Sequence, residues 1–131
     1  MTTRGTVYLD IDGVLNKGWS PKMQADRVLV RRLNRLRDAR FVLASTWRHR
    51  FGLRATVEFL KGHGFRGSID SALPGIGETQ IERWQMCRKD AGSGRWVLLD
   101  DRAPRRSNVV RPRRGLSKAD VLEVLRKLEG E

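Results

Sequence analysis

The amino-acid sequence predicts an α/β fold, a three-layer sandwich whose central sheet is mainly parallel. Three short apolar runs, rich in β-branched and aromatic residues, alternate with segments that have helical periodicity. This alternation is typical of βαβ units, in which a helix connects two parallel strands. A length of 131 residues, of which 39% are apolar, suits one domain that spans residues 1–131 and encloses one core.

The first half of the chain contains two predicted strands and two predicted helices. Residues 6–11 (TVYLDI) form an apolar run that ends at an Asp-Gly turn, and residues 41–44 (FVLA) form a second run. Residues 24–37 are predicted as an amphipathic helix, because their leucines recur at helical spacing while their arginines lie off that stripe. Residues 53–62 are predicted as another helix, which a glycine ends.

The next segments are less regular. A short strand is predicted at residues 68–70, and a loop that contains Pro and Gly follows at residues 71–77. Residues 78–89 are predicted as a helix with Ile81 and Trp84 facing the core.

The C-terminal segments complete the alternation. Residues 95–99 (RWVLL) form a strong predicted strand, and residues 108–111 form a predicted edge strand. Ser117 is a favourable N-cap for a last helix that ends near Leu128.

The charge balance is strongly basic. Lys and Arg number 27 against 15 Asp and Glu, which gives a net charge of +12, and 21 of the basic residues are arginines. Such an excess attracts phosphates and polyanions. Arginines on ordinary solvated faces account for the composition equally well, so both interpretations stay open at this point.

The cysteine content and the hydropathy of the sequence indicate the cellular compartment that we expect for the protein. Cys87 is the single cysteine, so an intramolecular disulfide is excluded, and His49 and His63 do not complete a zinc ligand set. No apolar segment has the length of a membrane span or the position of a signal peptide. We therefore expect a cytoplasmic protein without a membrane partner, whose oligomeric state the sequence does not indicate.

Polar side chains follow three of the predicted strands. In an open parallel sheet, ligands bind outside the carboxyl ends of the strands. Carboxylates that converge there repel one another unless a cation lies among them, and Mg²⁺ prefers such oxygen ligands. A bound Mg²⁺ also offsets the charge of a phosphate. The residues at these strand ends are Asp10, Asp12, Ser45, Thr46, Asp100 and Asp101.

These motifs resemble a known family. VYLDIDGVL, FVLAST and VLLDD are similar, in order and spacing, to three signatures of the haloacid dehalogenase (HAD) superfamily, over residues 6–102. DGVLN, STWR and RRGLS are further similar to its small branch associated with RNA-repair proteins. The resemblance implies a Rossmann-like fold. Only KGWSPK separates Asn16 from the first predicted helix, which leaves little room for a cap domain.

The resemblance also implies a reaction and its residues. It implies an Mg²⁺-dependent phosphomonoesterase in which Asp10 attacks phosphorus to form an aspartyl-phosphate. Asp12 would protonate the leaving oxygen and then activate water. Mg²⁺ would be held by the Asp10 carboxylate, the Asp12 backbone carbonyl and Asp100, with Asp101 bound directly or through water. The expected substrates are phosphorylated molecules, namely nucleotides or the phosphorylated ends of nucleic acids.

Two motifs are expected to bind the phosphoryl oxygens. Ser45 is favoured as a hydrogen-bonding residue that fixes the phosphate, and Thr46 competes for this role because the end of the strand is not fixed by the sequence. Gly13 is expected at a tight turn that presents backbone N–H groups to the phosphate.

The third signature of the superfamily, a basic residue that balances the site's charge, is not evident. Where relatives carry it, before the helix at residues 78–89, this chain has Gly-Ile-Gly-Glu. Arg83, within that helix, is the nearest basic residue and a candidate phosphate ligand, although its interpretation as a surface charge is favoured. Arg48 and Arg102 are alternatives, and Arg48 could bind a phosphate through two hydrogen bonds.

Several alternatives remain open from the sequence. Trp47 could stack on a nucleobase or pack on the core, and Trp19 could line the mouth of a substrate site or pack. The six arginines in residues 102–114 could follow a nucleic-acid backbone or form a solvated loop. A catalytically weak or inactive module that binds nucleic acid, and a phosphotransferase, are alternatives to the phosphatase.

Overall fold

The central feature of the fold is a five-stranded parallel sheet in the order β3-β2-β1-β4-β5. A computed structural model describes residues 5–130, and it confirms the predicted Rossmann-like α/β architecture. The strands are β1 (Thr6–Leu9), β2 (Arg40–Leu43), β3 (Ile69–Ala72), β4 (Trp96–Leu99) and β5 (Val109–Val110). The helices are α1 (Arg27–Arg32), α2 (Trp47–Arg50), α3 (Leu53–Gly62), α4 (Gln80–Ala91) and α5 (Lys118–Leu128), with a 3₁₀ helix at Leu33–Leu36.

The register of the central strands brings their carboxyl ends to the same level. Leu9 of β1 lies opposite Leu43 of β2 and Leu99 of β4. The backbone N–H of Asp10 then donates to the carbonyl of Leu99 at 3.0 Å. Asp10 and Asp100 therefore leave adjacent strands side by side at one edge of the sheet.

Helices cover both faces of the sheet. Val7 and Leu9 point into the larger core, which is completed by residues of α1, the 3₁₀ helix, α3 and α5. Tyr8 and Leu98 point to the opposite face, where they pack with Cys87 of α4. Because helices cover both faces of the sheet, the central strands are continuously apolar over residues 7–9 of β1 and 97–99 of β4.

Two predicted elements in the first half of the chain are longer than the observed ones. The helix predicted over residues 24–37 begins only at Arg27, because the carboxylate of Asp26 caps it by accepting from the backbone N–H of Val28 at 2.8 Å. It continues as the 3₁₀ helix from Leu33. The strand predicted over residues 6–11 ends at Leu9, and the chain turns directly after it.

Helix α4 presents a different face from the predicted one. Ile81, predicted to face the core, is 54% exposed, so that expectation is wrong, whereas Trp84 does pack against the smaller core. The buried residues of α4 are Arg83 and Cys87. Thr79 and Glu82 fix the start of the helix through a capping box.

The C-terminal helix agrees with the prediction. Ser117 caps α5 and accepts from the backbone N–H of Asp120 at 3.0 Å, while the Asp120 carboxylate accepts from the N–H of Ser117. Within residues 5–130, no helix combines the length and the apolar character that crossing a membrane requires. No cap domain is inserted between β1 and α1 in the same part of the chain.

Candidate active site

Three carboxylates meet at the carboxyl edge of the sheet. Oxygen atoms of Asp10, Asp100 and Asp101 all lie within 4.8 Å of one another. Asp10 is only 7% exposed and Asp100 is fully buried. Burial, reinforced by the charge of Asp100, raises the pKa of Asp10 well above its usual range, and the same two causes raise the pKa of Asp101.

This donor set fits a hard divalent cation. The ligand atoms are carboxylate oxygens, which Mg²⁺ prefers, and a cation among them would relieve the repulsion that raises these pKa values. The soft sulfur and imidazole ligands that favour zinc do not belong to the cluster. The residues therefore fit the Mg²⁺ site that the sequence predicts.

Gly13 allows the chain to approach Asp101 closely. Its φ is +84°, and a Cβ built there would lie 2.1 Å from Oδ2 of Asp101. Gly13 lies in the tight turn that the sequence predicts, but its own N–H donates to Oδ1 of Asn16 at 2.9 Å and is therefore not free to bind a phosphate. The structure therefore explains Gly13 by its contact with Asp101.

Asp12 is held by neighbours on two sides. Its Oδ1 accepts from Nδ2 of Asn16 at 2.9 Å and from Nε1 of Trp47 at 3.2 Å. Its Oδ2 lies 3.6 Å from Nη1 of Arg50. Asp12 lines the same cavity as Asp10, so the expected nucleophile and the expected general acid face one cavity.

Asn16 organises the loop after β1, and the sequence analysis did not assign it a role. Its Oδ1 accepts from the N–H groups of Gly13 and Gly18, and its Nδ2 donates to the carbonyl of Gln24 at 2.8 Å as well as to Asp12. The sequence signal was its position four residues after Asp12, within the DGVLN motif.

Arg83 is part of the acidic site, and its interpretation as a surface charge is wrong. The side chain is buried, with 5% exposed. Its Nη1 lies 3.2 Å from Oδ2 of Asp100 and 3.8 Å from Oδ1 of Asp10. Buried carboxylates need a nearby positive charge, so the strand ends draw Arg83 inward although it lies on a helix with many exposed charges.

Glu78 connects Arg83 to Arg48. Its Oε2 accepts from Nη2 of Arg48 at 2.8 Å and from Nε of Arg83 at 3.1 Å. Burial acts to raise the pKa of Glu78, but the hydrogen bond from Arg48 and the other bonds that Glu78 accepts outweigh it, so the pKa lies below its ordinary value. In the sequence, Glu78 is evident only as part of the Gly-Ile-Gly-Glu segment where the basic residue of the third signature is missing.

Arg48 lies behind the cavity and not in its wall. Its Nε donates to the carbonyl of Leu73 at 2.9 Å, and its Nη1 donates to the carbonyls of Ala44 and Ser45. Its Nη2 donates to Oε2 of Glu78 and to the carbonyl of Gly75. Because these bonds occupy the guanidinium, the expectation that Arg48 clamps a phosphate is corrected: Arg48 holds the site's backbone and Glu78.

The hydroxyl residues after β2 separate into two environments. Ser45 is fully buried, and its Oγ accepts from the backbone N–H of Trp47 at 3.1 Å. Thr46 is exposed and lines the cavity. Trp47 is buried in the larger core, so of the two alternatives left open by the sequence, packing on the core is the one observed.

The candidate active-site cavity has a volume of about 150 Å³. Exposed Arg102 lies at its wall, and its backbone N–H donates to Oδ1 of Asp100 at 2.9 Å. Further along the arginine-rich segment of residues 102–114, the guanidinium of Arg106 lies 5.0 Å from the ring centroid of Trp84. The cavity is lined by Asp10, Asp12, Gly18, Trp19, Thr46, Gln80, Arg83, Asp101 and Arg102.

The chain forms an α/β domain of the HAD type. Its sheet is all parallel, its carboxylates lie at the strand ends, and a buried arginine lies beside them. The family model described as the HAD domain in Swiss Army Knife RNA repair proteins matches residues 6–121, and the chain belongs to this family. Searches of curated proteins and of solved structures found no match.

Proposed function

We propose that this HAD-type domain is an Mg²⁺-dependent phosphomonoesterase that acts on nucleotides or on the phosphorylated ends of nucleic acids. One observation carries the proposal: Asp10, Asp12 and Arg83 line a single cavity at the carboxyl edge of the sheet. Membership of the HAD family in RNA repair proteins supports the class of reaction and of substrate.

The proposed reaction has two steps. An oxygen of Asp10 bonds to phosphorus while the bond from phosphorus to the leaving oxygen breaks, and Asp12 gives that oxygen its proton. Asp12 then takes a proton from water, which attacks the aspartyl-phosphate and releases inorganic phosphate. The hydrogen bonds from Asn16 and Trp47 hold the Asp12 carboxylate in place for both proton transfers.

The Mg²⁺ in this proposal is held by carboxylates of Asp10, Asp100 and Asp101 and by the backbone carbonyl of Asp12. When bound, it offsets the negative charge of the phosphoryl group. The protein contributes a second positive charge through Arg83, which contacts two of these carboxylates. Arg83 thereby fills the role of the basic residue that the sequence analysis could not locate.

Thr46 and Arg83, which line the cavity, are proposed to bind the phosphoryl oxygens of the substrate. Buried Ser45 shapes the turn that carries Thr46, through its bond to the N–H of Trp47. The absence of an inserted cap between β1 and α1 leaves the cavity accessible to the end of a polymer. The net charge of +12 favours polyanionic substrates.

The alternative of an inactive binding module rested on the missing basic residue. Arg83 supplies a cation in contact with Asp10 and Asp100, which removes that argument. Release of inorganic phosphate is the quantity to measure, because it separates hydrolysis from transfer to another hydroxyl.

The test is phosphate release from p-nitrophenyl phosphate, mononucleotides and oligonucleotides phosphorylated at either end, each with Mg²⁺ and with EDTA. We expect Mg²⁺-dependent release that Asp10→Asn abolishes. Asp38→Asn is the matched control, because Asp38 is exposed and lies before β2, at the opposite end of that strand from the site. Release that persists in Asp10→Asn, or its absence with every substrate, would overturn the proposal.

A further inference from the structure

A second, larger cleft adjoins the active-site cavity. Its volume is about 600 Å³, within the range of small-molecule sites. Gly18 and Trp19 line both the cleft and the cavity, so the two spaces meet at the loop that follows β1. A molecule whose phosphate lies beside Asp10 can therefore extend past Trp19 into this cleft.

Trp19 stands at the boundary as a supported aromatic surface. Its side chain is 68% exposed, which leaves a large apolar area free for stacking. The guanidinium of Arg50 lies 5.0 Å from the centroid of the Trp19 ring, and its Nη2 donates to the backbone carbonyl of Ser20. Because the loop is held in this way, stacking on Trp19 requires little additional ordering.

A second part of the cleft lining is also aromatic. The ring of His63 stacks on Phe59 with a centroid distance of 4.2 Å and an interplanar angle of 30°. Exposed Lys17 and half-buried Met23 complete this part of the lining. Aromatic surfaces beside a cation suit a planar base on a charged backbone.

We propose that the cleft binds the nucleoside that carries the phosphate, with its base stacked on Trp19. The inference rests on the proposed phosphatase function and deepens it, because it names the leaving group. Arg50 supports Trp19 and also lies 3.6 Å from Oδ2 of Asp12, so one cation contacts both the base platform and the proposed acid.

The first test compares an oligonucleotide whose terminal phosphate lies on an intact nucleotide with one whose terminal nucleotide is abasic. For the wild-type protein we expect kcat/KM to be about tenfold or more higher with the base, the range that stacking of one base supplies. Trp19→Ala should bring this ratio towards one, and Trp19→Phe should retain most of it. Leu122→Ala, an exposed apolar position on α5, is the control that should keep the wild-type ratio.

A binding measurement separates this inference from the proposed function. Fluorescence anisotropy of Asp10→Asn with the same two oligonucleotides reports the contribution of the base without catalysis. Phosphatase activity with equal kcat/KM for both oligonucleotides would overturn the cleft while leaving the phosphatase intact. Tighter binding of the base-bearing oligonucleotide without any phosphatase activity would support the cleft and overturn the proposed phosphatase function.

The source of the nucleoside is resolved by a third substrate. A mononucleotide carries the same base and phosphate without the polymer. A base-dependent kcat/KM for the mononucleotide, close to that for the oligonucleotide, would assign the cleft to free nucleotides. A much lower value would assign it to the end of a polymer, and either result supports the cleft.

Discussion

Nη1 of Arg83 lies 3.2 Å from Oδ2 of Asp100, and both side chains are buried beneath the candidate active site. The same nitrogen is 3.8 Å from Oδ1 of Asp10. Burial and the charge of Asp100 raise the pKa of Asp10, whereas Arg83 opposes this rise. The arginine therefore helps to keep the proposed nucleophile ionised.

Arg83→Met retains the length of the side chain and removes its charge, so it tests this role directly. We expect kcat for phosphate release to fall by roughly 10²-fold or more, the loss typical of removing a single electrostatic contact to the reacting group. Lys89→Met is the matched control because Lys89 is exposed on the same helix, and it should leave kcat near the wild-type value. Circular dichroism establishes that both variants are folded. Wild-type kcat in folded Arg83→Met would contradict the assignment.

Gly13→Ala should displace Asp101 and weaken Mg²⁺ binding. The added Cβ would lie 2.1 Å from Oδ2 of Asp101, and the φ of +84° costs a non-glycine residue about 1–2 kcal/mol. We expect a smaller rise of the melting temperature on Mg²⁺ addition than in the wild type, because a bound ligand stabilises the folded state.

The control for Gly13→Ala separates backbone strain from the clash. Gly92 also has positive φ, +60°, but nothing lies within 4 Å of a Cβ built there. Gly92→Ala should lower stability and leave the Mg²⁺-induced rise unchanged. An unchanged Mg²⁺-induced rise of the melting temperature in Gly13→Ala would show that the close approach of Gly13 to Asp101 does not matter for Mg²⁺ binding.

Glu78→Gln should lower the free energy of unfolding at neutral pH by an amount that shrinks in acid. The folded-state pKa of Glu78 lies below its ordinary value, because its hydrogen bonds from Arg48 and other donors outweigh desolvation by burial. The carboxylate thus contributes stability above the unfolded-state pKa of about 4.3, and this contribution is lost as pH falls through the folded-state pKa.

Urea denaturation of wild type and Glu78→Gln across this range measures the difference at each pH. Glu58→Gln is the control, because Glu58 pairs with Arg54 in solvent, and exposed pairs contribute at most about 1 kcal/mol. The control should differ little from wild type throughout. A deficit in Glu78→Gln that stays constant, or grows, as pH falls would show that the Glu78 charge does not support the fold.

The sheet and its acidic edge could be predicted because each depends on local sequence. The run before Asp10 and the run before Asp100 are apolar throughout, since both faces of these strands are covered. Parallel strands end at one edge, so Asp10, Asp12, Asp100 and Asp101 were expected to converge. Oxygen atoms of Asp10, Asp100 and Asp101 do so, and Asp12 lines the cavity beside Asp10. The capping box at Ser117 is likewise a local signal.

The basic part of the site could not be predicted in the same way. Hydrophobic periodicity assigns charged residues to the exposed face of a helix, whereas α4 buries Arg83 because carboxylates lie opposite it. The direction of the Arg48 side chain depends on Glu78 and on carbonyls that are distant in sequence. Such contacts exist only once the strands have aligned, so residue type and spacing do not reveal them.

Asn16→Asp should destabilise the loop that holds Asp12. The change replaces the Nδ2 donor with an acceptor, which removes the bonds to Asp12 and to the carbonyl of Gln24 and places two carboxylates together. Because each unsatisfied buried partner costs about 1–3 kcal/mol, we expect a loss of about 2 kcal/mol or more in urea denaturation at neutral pH. Asn34→Asp is the control, since it removes one such donor bond, to the carbonyl of Gly64. Equal losses in the two variants would show that Asn16 does not restrain Asp12, because the repulsion specific to Asn16→Asp would then be absent.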